Sequence, residues 1–280
     1  MIWKIRGRDH DLTRCGWIFG VLNVTPDSFS DGGAFVSPDA AIRHGLEMAA
    51  MGAEVLDVGG ETTKPGALPV PADEELSRVL PVIKGLRAAG GDFLISIDTS
   101  KAAVAQAAWE AGADIINDVT GLRGDPEMSA LAARTGAGVV IMHMQGTPRT
   151  MQESPHYSDV VAEVGNFFRQ AIGQAVNSGI HPMSIALDPG IGFGKTPEHN
   201  CLLLRDLSAF TGLGRPLLVG LSRKSFLGWI AGSPAMADRF WPGVALTSFC
   251  RERGARIFRV HDVKPHREAL RMTEAILGDD

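Results

Sequence analysis

Four polar side chains end short apolar runs in this sequence and could together recognise a flat, polar ligand. They are Asp57, Asp98, Asn117 and Asp188, at the ends of the runs EVLD, FLISID, DIIN and SIALD. A carboxylate accepts hydrogen bonds from N–H groups, and a carboxamide both donates and accepts, so the set suits a planar heterocycle with amide and amine edges. A single Asp at such a position is equally explained as a cap for the next loop or helix. A cluster of such groups is harder to explain in that way, because neighbouring carboxylates repel one another.

A second set of side chains, nearer the C-terminus, is basic and could bind an anion. Ser222, Arg223 and Lys224 follow the run LLVGL, and Arg259 and His261 end the run IFRVH. Because side chains alternate along a strand, Arg259 and His261 are expected to face the same way. An arginine and a histidine together can hold a phosphate group. The alternative is that these residues are solvated surface charges.

The spacing of the apolar runs predicts the elements that bring these residues together. Eight runs with polar ends occur between Asn23 and His261, about 34 residues apart on average. That step is typical of one strand, one helix and two loops. It predicts an α/β fold of the (β/α)8 TIM-barrel class, with a short strand or hairpin over residues 1–13 before it. In this fold the C-terminal ends of the strands meet at one mouth, where active sites lie and where phosphate often binds after the last two strands.

Local signals predict where several helices begin. Ser37 and Pro38 are expected to be the N-cap and first residue of the first helix, and Ser100 could cap the third. A single helix is expected over about 238–252, between the last two barrel strands. The clearest amphipathic helix has apolar residues at helical spacing, namely Val160, Val164, Phe167, Phe168, Ala171 and Ala175.

Composition excludes several classes of function. The chain has 280 residues, 45% hydrophobic and 21% charged, and residues 1–280 are predicted to form one domain. A net charge of −5 gives no reason to expect nucleic acid or an anionic membrane as a partner. The three scattered cysteines and the absence of a long apolar segment predict a cytoplasmic protein without a membrane span.

Two further patterns have weaker functional interpretations. Residues 190–196 read GIGFGKT, which is similar to a phosphate-binding P-loop, but Pro189 stands where that motif needs its first glycine. We therefore expect a tight loop whose backbone approaches a ligand. His143 could be a metal ligand, but a hydrogen-bonded place in a pocket wall is the commoner role. No HExxH or GxSxG motif is present, which argues against a catalytic zinc site and an acyl-transfer triad.

The motifs at the strand ends, taken in order, resemble those of the dihydropteroate synthases. The matching pieces lie between about residues 17 and 264. Each piece is moderately specific, and the complete set in register is highly specific. The pieces are NVTPDSFSDGG (23–33), DVGGETT (57–63), IDTS (97–100), ND (117–118), MHMQG (142–146), LDPG (187–190), GFGK (192–195), LSRKS (221–225) and RVH (259–261).

The resemblance implies a transferase of folate biosynthesis. Such an enzyme joins (7,8-dihydropterin-6-yl)methyl diphosphate to 4-aminobenzoate and gives 7,8-dihydropteroate and diphosphate. Residue matching implies a pterin diphosphate site made of Thr63, Asp98, Asn117, Asp188, Lys224, Arg259 and His261. It implies an aminobenzoate site made of Phe29, Lys64, Pro65, Phe193 and Ser222. It also implies Mg²⁺ as the cofactor, with Asn23 as the protein ligand.

A dissociative mechanism is also implied by the resemblance. Diphosphate leaves first, favoured by Mg²⁺, Arg259 and His261. Asp98, Asp31 and Lys224 are the implied catalytic residues, with the two carboxylates stabilising the resulting pterin methylene cation. The amine of aminobenzoate then attacks. The loops at 24–37 and 59–72 are expected to close over the site and exclude water.

One position departs from the family pattern. The second loop of the family usually reads Ser/Thr-Arg-Pro-Gly, and here it reads Thr63-Lys64-Pro65-Gly66. Lysine keeps the positive charge but lacks the planar fork of a guanidinium group. We therefore expect altered affinity for aminobenzoate or sulfonamides rather than loss of activity.

Two alternative functions fit parts of the same pattern. A pterin-binding methyltransferase domain would share the barrel and the pterin residues, but the Ser-Arg-Lys and Arg-Val-His motifs favour diphosphate chemistry. A non-catalytic pterin-binding paralogue should have lost part of the diphosphate set, which is intact here. The resemblance further implies that the protein is a homodimer. It also implies that its other binding partners are small-molecule substrates.

Overall fold

The architecture described below comes from a computed structural model and covers residues 1–25, 37–62 and 66–278. An N-terminal antiparallel hairpin consists of β1 (Ile2–Ile5) and β2 (Arg8–Asp11). The hairpin confirms the strand or hairpin predicted for residues 1–13.

Within these described residues, eight parallel strands close into a barrel in which each strand pairs with the next and the last pairs with the first. Most of their residues are buried on both faces, which explains why the runs are apolar with little alternation. The predicted TIM barrel is confirmed. The strands are β3 (Trp17–Asn23), β4 (Val55–Gly59), β5 (Leu94–Asp98), β6 (Ile115–Asp118), β7 (Gly138–Met142), β8 (Ile185–Asp188), β9 (Leu217–Gly220) and β10 (Ala255–Val260).

Helices between the strands cover the outside of the barrel. They are α1 (Pro38–Ala50), α2 (Ala72–Ala89), α3 (Ala102–Glu110), α4 (Met128–Thr135), α5 (Val160–Asn177), α6 (Pro197–Arg205), α7 (Ser225–Ala231), α8 (Phe240–Glu252) and α9 (Val263–Leu277). Apolar side chains of the helices and of the outward strand faces form one continuous core.

Two of the helix predictions were right, one was wrong and one was incomplete. Ser37 caps α1 by accepting a hydrogen bond from the backbone N–H of Ala40, and α5 has the predicted buried stripe. Ser100 does not cap α3, because the Asp125 carboxylate takes that place and accepts from the N–H of Ala102 at 2.8 Å. The single helix expected over 238–252 is α8, but a separate short helix, α7, precedes it.

The N-terminal hairpin closes the lower end of the barrel. Trp3, Ile5 and Leu12 are buried against inward-facing strand residues such as Phe19 and Leu218. The Trp3 indole N–H donates to the backbone carbonyl of Ser184 at 2.8 Å. This end is therefore filled with apolar side chains, and the opposite end is the one available for chemistry.

Strand register brings the polar strand ends to one level of the barrel. Asn23 pairs with Gly59, Gly59 pairs with Asp98, and Asp98 pairs with Asn117. Asp57 lies two residues before Gly59, so its side chain points to the same face one layer deeper. The register therefore confirms the predicted rim for Asn23, Asp98 and Asn117. It corrects the prediction for Asp57, because β4 continues to Gly59 and leaves this carboxylate one layer below the mouth.

Among the residues that the structure describes, no helix combines the length and the apolar character that crossing a bilayer requires.

Candidate active site

One pocket at the C-terminal mouth of the barrel contains most of the predicted pterin residues. Both polar groups and apolar side chains line it, as expected for a site that binds a small molecule. Its lining consists of Asn117, Val119, Met142, Asp188, Ile191, Phe193, Gly220, Lys224 and Arg259.

Two buried carboxylates lie at this mouth: Asp188 lines the pocket, and Asp98 is the last residue of β5. Burial raises the pKa of Asp98 to about 7, against the opposing influence of the Arg259 guanidinium. Burial also raises the pKa of Asp188, although its carboxylate accepts a 2.7 Å hydrogen bond from the N–H of Gly190. Burial therefore disfavours the charged form of both carboxylates, and a ligand that offers N–H donors would favour it.

Arg259 pairs with two carboxylates at the rim. Its Nε donates to Asp57 and its terminal nitrogen donates to Asp98, both at 2.6 Å. Burial lowers the pKa of Arg259, but Asp57 and Asp98 outweigh it, so the net shift is upward. The residue expected to hold diphosphate is thus already bound to a residue expected to hold the pterin.

Lys224 lies against the ring of Phe193. Its Nζ is 4.2 Å from the ring centroid, a distance at which an ammonium group is attracted to an aromatic face. Burial lowers its pKa to about 8, opposed by the Asp188 carboxylate. The structure therefore brings Lys224 and Phe193, predicted for two different substrates, into direct contact.

His261 follows β10 and has a buried ring nitrogen without a partner. Its Nδ1 makes no hydrogen bond to any group that the structure describes. Burial lowers its pKa to about 3, and Arg223, Arg259 and Lys224 lower it further. A neutral imidazole surrounded by three cations is suited to a ligand that brings negative charge. Ser222, which is predicted for the aminobenzoate site, is also buried. It directly precedes Arg223 and Lys224 in the sequence.

The neighbourhood of Asn23 fits a magnesium ion that arrives with a phosphate ligand. A Cβ on Gly59 would lie 3.6 Å from the Asn23 carboxamide oxygen and 3.7 Å from the Asp98 carboxylate, so the glycine keeps the space between them open. Within residues 1–25, 37–62 and 66–278, no group of three or more His, Cys, Asp or Glu could hold a metal by itself. Mg²⁺ commonly binds through one or two protein oxygens together with substrate phosphates and water.

Lys195 is a buried residue whose role differs from that of a P-loop lysine. Its ammonium donates to the carbonyls of Phe193 at 2.9 Å and His143 at 3.3 Å and contacts His143 Nδ1 at 3.0 Å. Burial lowers its pKa to about 7. The three contacts tie the loop after β8 to the loop after β7, so this segment is a pocket wall, as expected from Pro189.

His143 contributes to the same wall. Burial lowers its pKa to about 3, with a further contribution from Lys195, and its ring meets Phe167 edge-on with 5.0 Å between ring centroids. These contacts agree with a hydrogen-bonded wall residue.

An ion cluster at the base of the second long loop could not be foreseen from the motifs. Lys101 Nζ lies 2.5 Å from Glu61 and 2.6 Å from Glu75, which is fully buried. The other oxygen of Glu61 accepts from the N–H of Val70 at 3.0 Å. The two ends of this loop are therefore fixed to each other and to α2.

Five predicted site residues fall outside the described part of the chain. They are Phe29, Asp31, Thr63, Lys64 and Pro65. Their assignments stay predictions from the family resemblance.

Comparison with known proteins supports the same assignment as the geometry. The family described as "Pterin binding enzyme" matches residues 19–261. The dihydropteroate synthase of Synechocystis sp. is 45% identical over 260 residues, covering 93% of this chain and 90% of that one.

Solved structures of similar proteins support the same assignment. The Yersinia pestis dihydropteroate synthase with a sulfonamide drug superposes with a TM-score of 0.92 at 45% identity, covering 99% of this chain and all of that one (100%). The Xanthomonas albilineans dihydropteroate synthase in complex with 7,8-dihydropteroate superposes with a TM-score of 0.88 at 41% identity, covering 99% of both chains. With Asn117, Asp188 and Lys224, three of the predicted pterin residues, lining one pocket and these similarities extending over the whole barrel, the chain belongs to the pterin-binding enzyme family, among its dihydropteroate synthases.

Proposed function

We propose that this chain is a transferase that condenses (7,8-dihydropterin-6-yl)methyl diphosphate with 4-aminobenzoate to give 7,8-dihydropteroate and diphosphate. The observation that carries the proposal is the position of the acidic and amide groups beside a cluster of cations at one barrel mouth. Asn117 and Asp188 offer hydrogen-bond acceptors to a heterocycle, while Arg259 and Lys224 offer positive charge to a diphosphate. The similarity to a relative whose structure contains 7,8-dihydropteroate supports the same substrates.

The pterin binds among Asp98, Asn117 and Asp188 in this proposal, with the Lys224 ammonium donating to it as well. The two carboxylates accept hydrogen bonds from ring N–H and amino groups, and the carboxamide of Asn117 complements an edge that both donates and accepts. A pocket that pairs every polar edge rejects flat molecules with a different pattern, because a mismatch leaves buried polar groups unpaired.

The diphosphate binds beside Arg259 and His261, with Thr63 assigned by resemblance. Negative charge on the ligand favours protonation of the His261 imidazole, which in the free protein is kept neutral by its surroundings. Asn23 would hold Mg²⁺, which would supply Lewis-acid stabilisation of the leaving group.

The bond between the pterin methylene carbon and the diphosphate oxygen breaks first. Arg259, His261 and Lys224 stabilise the charge that develops on the departing diphosphate. Asp98 and Asp31 stabilise the methylene cation that remains. The aminobenzoate nitrogen then forms the new C–N bond and loses a proton.

Aminobenzoate binds next to the pterin, against Phe193 and Ser222. Phe29, Lys64 and Pro65 complete this part of the proposal by resemblance. The contact between Phe193 and Lys224 supports a position of the two subsites side by side, because it joins a residue of the aminobenzoate site to a residue of the pterin site.

The remaining parts of the proposal concern the whole protein. We assign a single domain over residues 1–280, a homodimer and a cytoplasmic location. In the described chain Cys15, Cys201 and Cys250 are all free thiols, which supports a reducing compartment.

Diphosphate release tests the proposed function. The purified protein with Mg²⁺ and both substrates should release one diphosphate for each dihydropteroate formed. Arg259→Gln should reduce this rate by at least about 100-fold, since it removes a cation that stabilises the leaving group. Lys84→Gln, at an exposed position of α2, is the matched control and should keep the wild-type rate. Pterin binding without diphosphate release would contradict the proposal and favour the methyltransferase or non-catalytic alternative.

A further inference from the structure

Asp57 is a fully buried carboxylate that the proposed mechanism does not use. It lies on β4 in register with Val21 and Ser96, one layer below the rim formed by Asn23, Gly59 and Asp98. Its side chain has no exposed surface (0%). A buried charge at this position is costly unless it is paired, so its partners should reveal its use.

The partners of Asp57 belong to two different parts of the substrate site. Its Oδ2 accepts from Arg259 Nε at 2.6 Å and from Asn117 Nδ2 at 3.2 Å. Arg259 is assigned to the diphosphate and Asn117 to the pterin. A single carboxylate is therefore bonded to one residue from each half of the ligand site.

The contact with Asn117 fixes which way its carboxamide faces. An ionised carboxylate only accepts hydrogen bonds, so it selects the NH₂ side of the amide. A rotated carboxamide would place its oxygen against the carboxylate oxygens and would be repelled. Asp57 therefore determines which polar atoms Asn117 presents to the heterocycle.

The contact with Arg259 holds the guanidinium group from below. Arg259 also binds Asp98 at 2.6 Å, and in the proposed complex Asp98 accepts N–H groups of the pterin. The bond to Asp57 is compatible with both situations, because it uses Nε and lies beneath the rim. It keeps the guanidinium at the mouth when the terminal nitrogen leaves Asp98 for a phosphate oxygen.

We propose that Asp57 is a positioning residue for both halves of the pterin diphosphate, orienting the Asn117 carboxamide toward the pterin and the Arg259 guanidinium toward the diphosphate. This inference rests on the proposed function. Asp57 does not contact the reacting atoms and acts only through its two partners.

Binding of two separate probes tests this role. Inorganic diphosphate with Mg²⁺ reports on Arg259, and 6-hydroxymethyl-7,8-dihydropterin, which lacks diphosphate, reports on Asn117. Asp57→Asn should weaken both affinities by at least about tenfold in calorimetry, because a charge-assisted contact is lost on each side. The matched control is Ser96→Ala in the same layer, where the hydroxyl has no partner in the described chain, and it should stay within about twofold of wild type.

Double-mutant cycles distinguish positioning from general damage to the barrel. In an Arg259→Gln background, Asp57→Asn should cause no further loss of diphosphate affinity. In an Asn117→Ala background, it should cause no further loss of pterin affinity. Full additivity in both cycles, or wild-type affinities for Asp57→Asn, would overturn the inference.

A second variant covers the case in which Asp57→Asn does not fold. Asp57→Glu keeps the charge but moves it by one methylene group, so it should lower both affinities while circular dichroism stays native; unchanged affinities would overturn the inference. If the wild-type protein binds neither probe and releases no diphosphate from the two substrates, the proposed function itself fails. If the wild-type protein binds both probes and releases diphosphate, and the Asp57 variants keep wild-type affinities, the inference fails and the proposed function stands.

Discussion

Asp98 and Lys224 are oppositely charged groups at the same barrel mouth, and their pKa values lie on either side of a narrow pH range. Burial raises the pKa of Asp98 to about 7 and lowers that of Lys224 to about 8. A pterin needs the ionised form of Asp98 as an acceptor and the protonated form of Lys224 as a donor. Its affinity should therefore increase as the pH rises through about 7 and decrease as the pH rises through about 8.

The measurement is the dissociation constant of 6-hydroxymethyl-7,8-dihydropterin from pH 5.5 to 9.5. Because the two groups lie in one site, the limbs of the profile belong to the pair. Lys224→Arg should remove the high-pH limb, since arginine stays protonated throughout, and should keep the low-pH limb. An unchanged high-pH limb in this variant would show that another group titrates there.

Lys195 and His143 show how far individual residues could be interpreted from sequence. The departure from the P-loop pattern at Pro189 correctly predicted a tight loop, and His143 agrees with a pocket wall. Their contact could not be predicted, because it depends on two loops folding against each other. The same is true of Asp57, whose carboxylate meets a guanidinium 202 residues away in the sequence.

At the scale of the elements, the loop after β8 depends on glycine at one position above all. Gly190 has φ +67°, and a Cβ there would lie 1.9 Å from the His143 carbonyl oxygen. Gly190→Ala should therefore destabilise the protein by more than about 3 kcal/mol, since both backbone conformation and space are lost. Urea denaturation followed by circular dichroism measures the change.

A glycine on α5 is the control for that substitution. A Cβ at Gly173 would meet no atom within 4 Å, so Gly173→Ala should stabilise the protein by about 0.5–1 kcal/mol. Equal effects of the two substitutions would contradict the structural account of Gly190.

The Lys101 cluster makes a second prediction about an element. Lys101→Met leaves the fully buried Glu75 without its cation and should cost about 3 kcal/mol of unfolding free energy. It should also raise the KM for aminobenzoate more than that for the pterin diphosphate, because the loop that carries Lys64 and Pro65 loses the anchor at its base.

The exposed Lys84 on α2 gives the matched control. Lys84→Met should change stability by less than about 0.5 kcal/mol and leave both KM values alone. If Lys101→Met raised both KM values equally, the cluster would be a general stabiliser and not an anchor of this loop.

Strands were easier to predict than helix ends for a physical reason. Each barrel strand is a buried apolar run that is followed by a polar residue, so the local sequence indicates where the strand begins and where it ends. Helix α7 has only seven residues and lacks a repeated apolar stripe, so it was missed. The cap of α3 comes from Asp125, which is 23 residues from Ala102, and no local pattern contains that information.

For the molecule as a whole, the segment 229–241 concentrates large exposed apolar side chains. Trp229 is 59% exposed, Met236 58% and Trp241 71%. Apolar side chains that cluster on a surface favour contact with another protein. If the proposed homodimer uses this surface, Trp241→Glu should shift the molar mass in light scattering from dimer toward monomer.

Ile276 near the end of α9 offers the comparison. It is 77% exposed but lies outside that segment, so Ile276→Glu should leave the dimer intact. A wild-type protein that is monomeric at micromolar concentration would contradict the homodimer, and an equal effect of both substitutions would contradict the choice of surface.

The pairing of Arg259 with Asp98 has a consequence for the design of inhibitors. A fragment that fills only the heterocycle pocket meets an Asp98 whose Oδ2 already accepts from the Arg259 guanidinium. A compound that also carries an anionic tail draws Arg259 toward the tail and thereby frees Asp98 for its ring. Linking a heterocycle fragment to an anionic fragment should therefore give a compound that binds more tightly than the binding free energies of the two separate fragments predict.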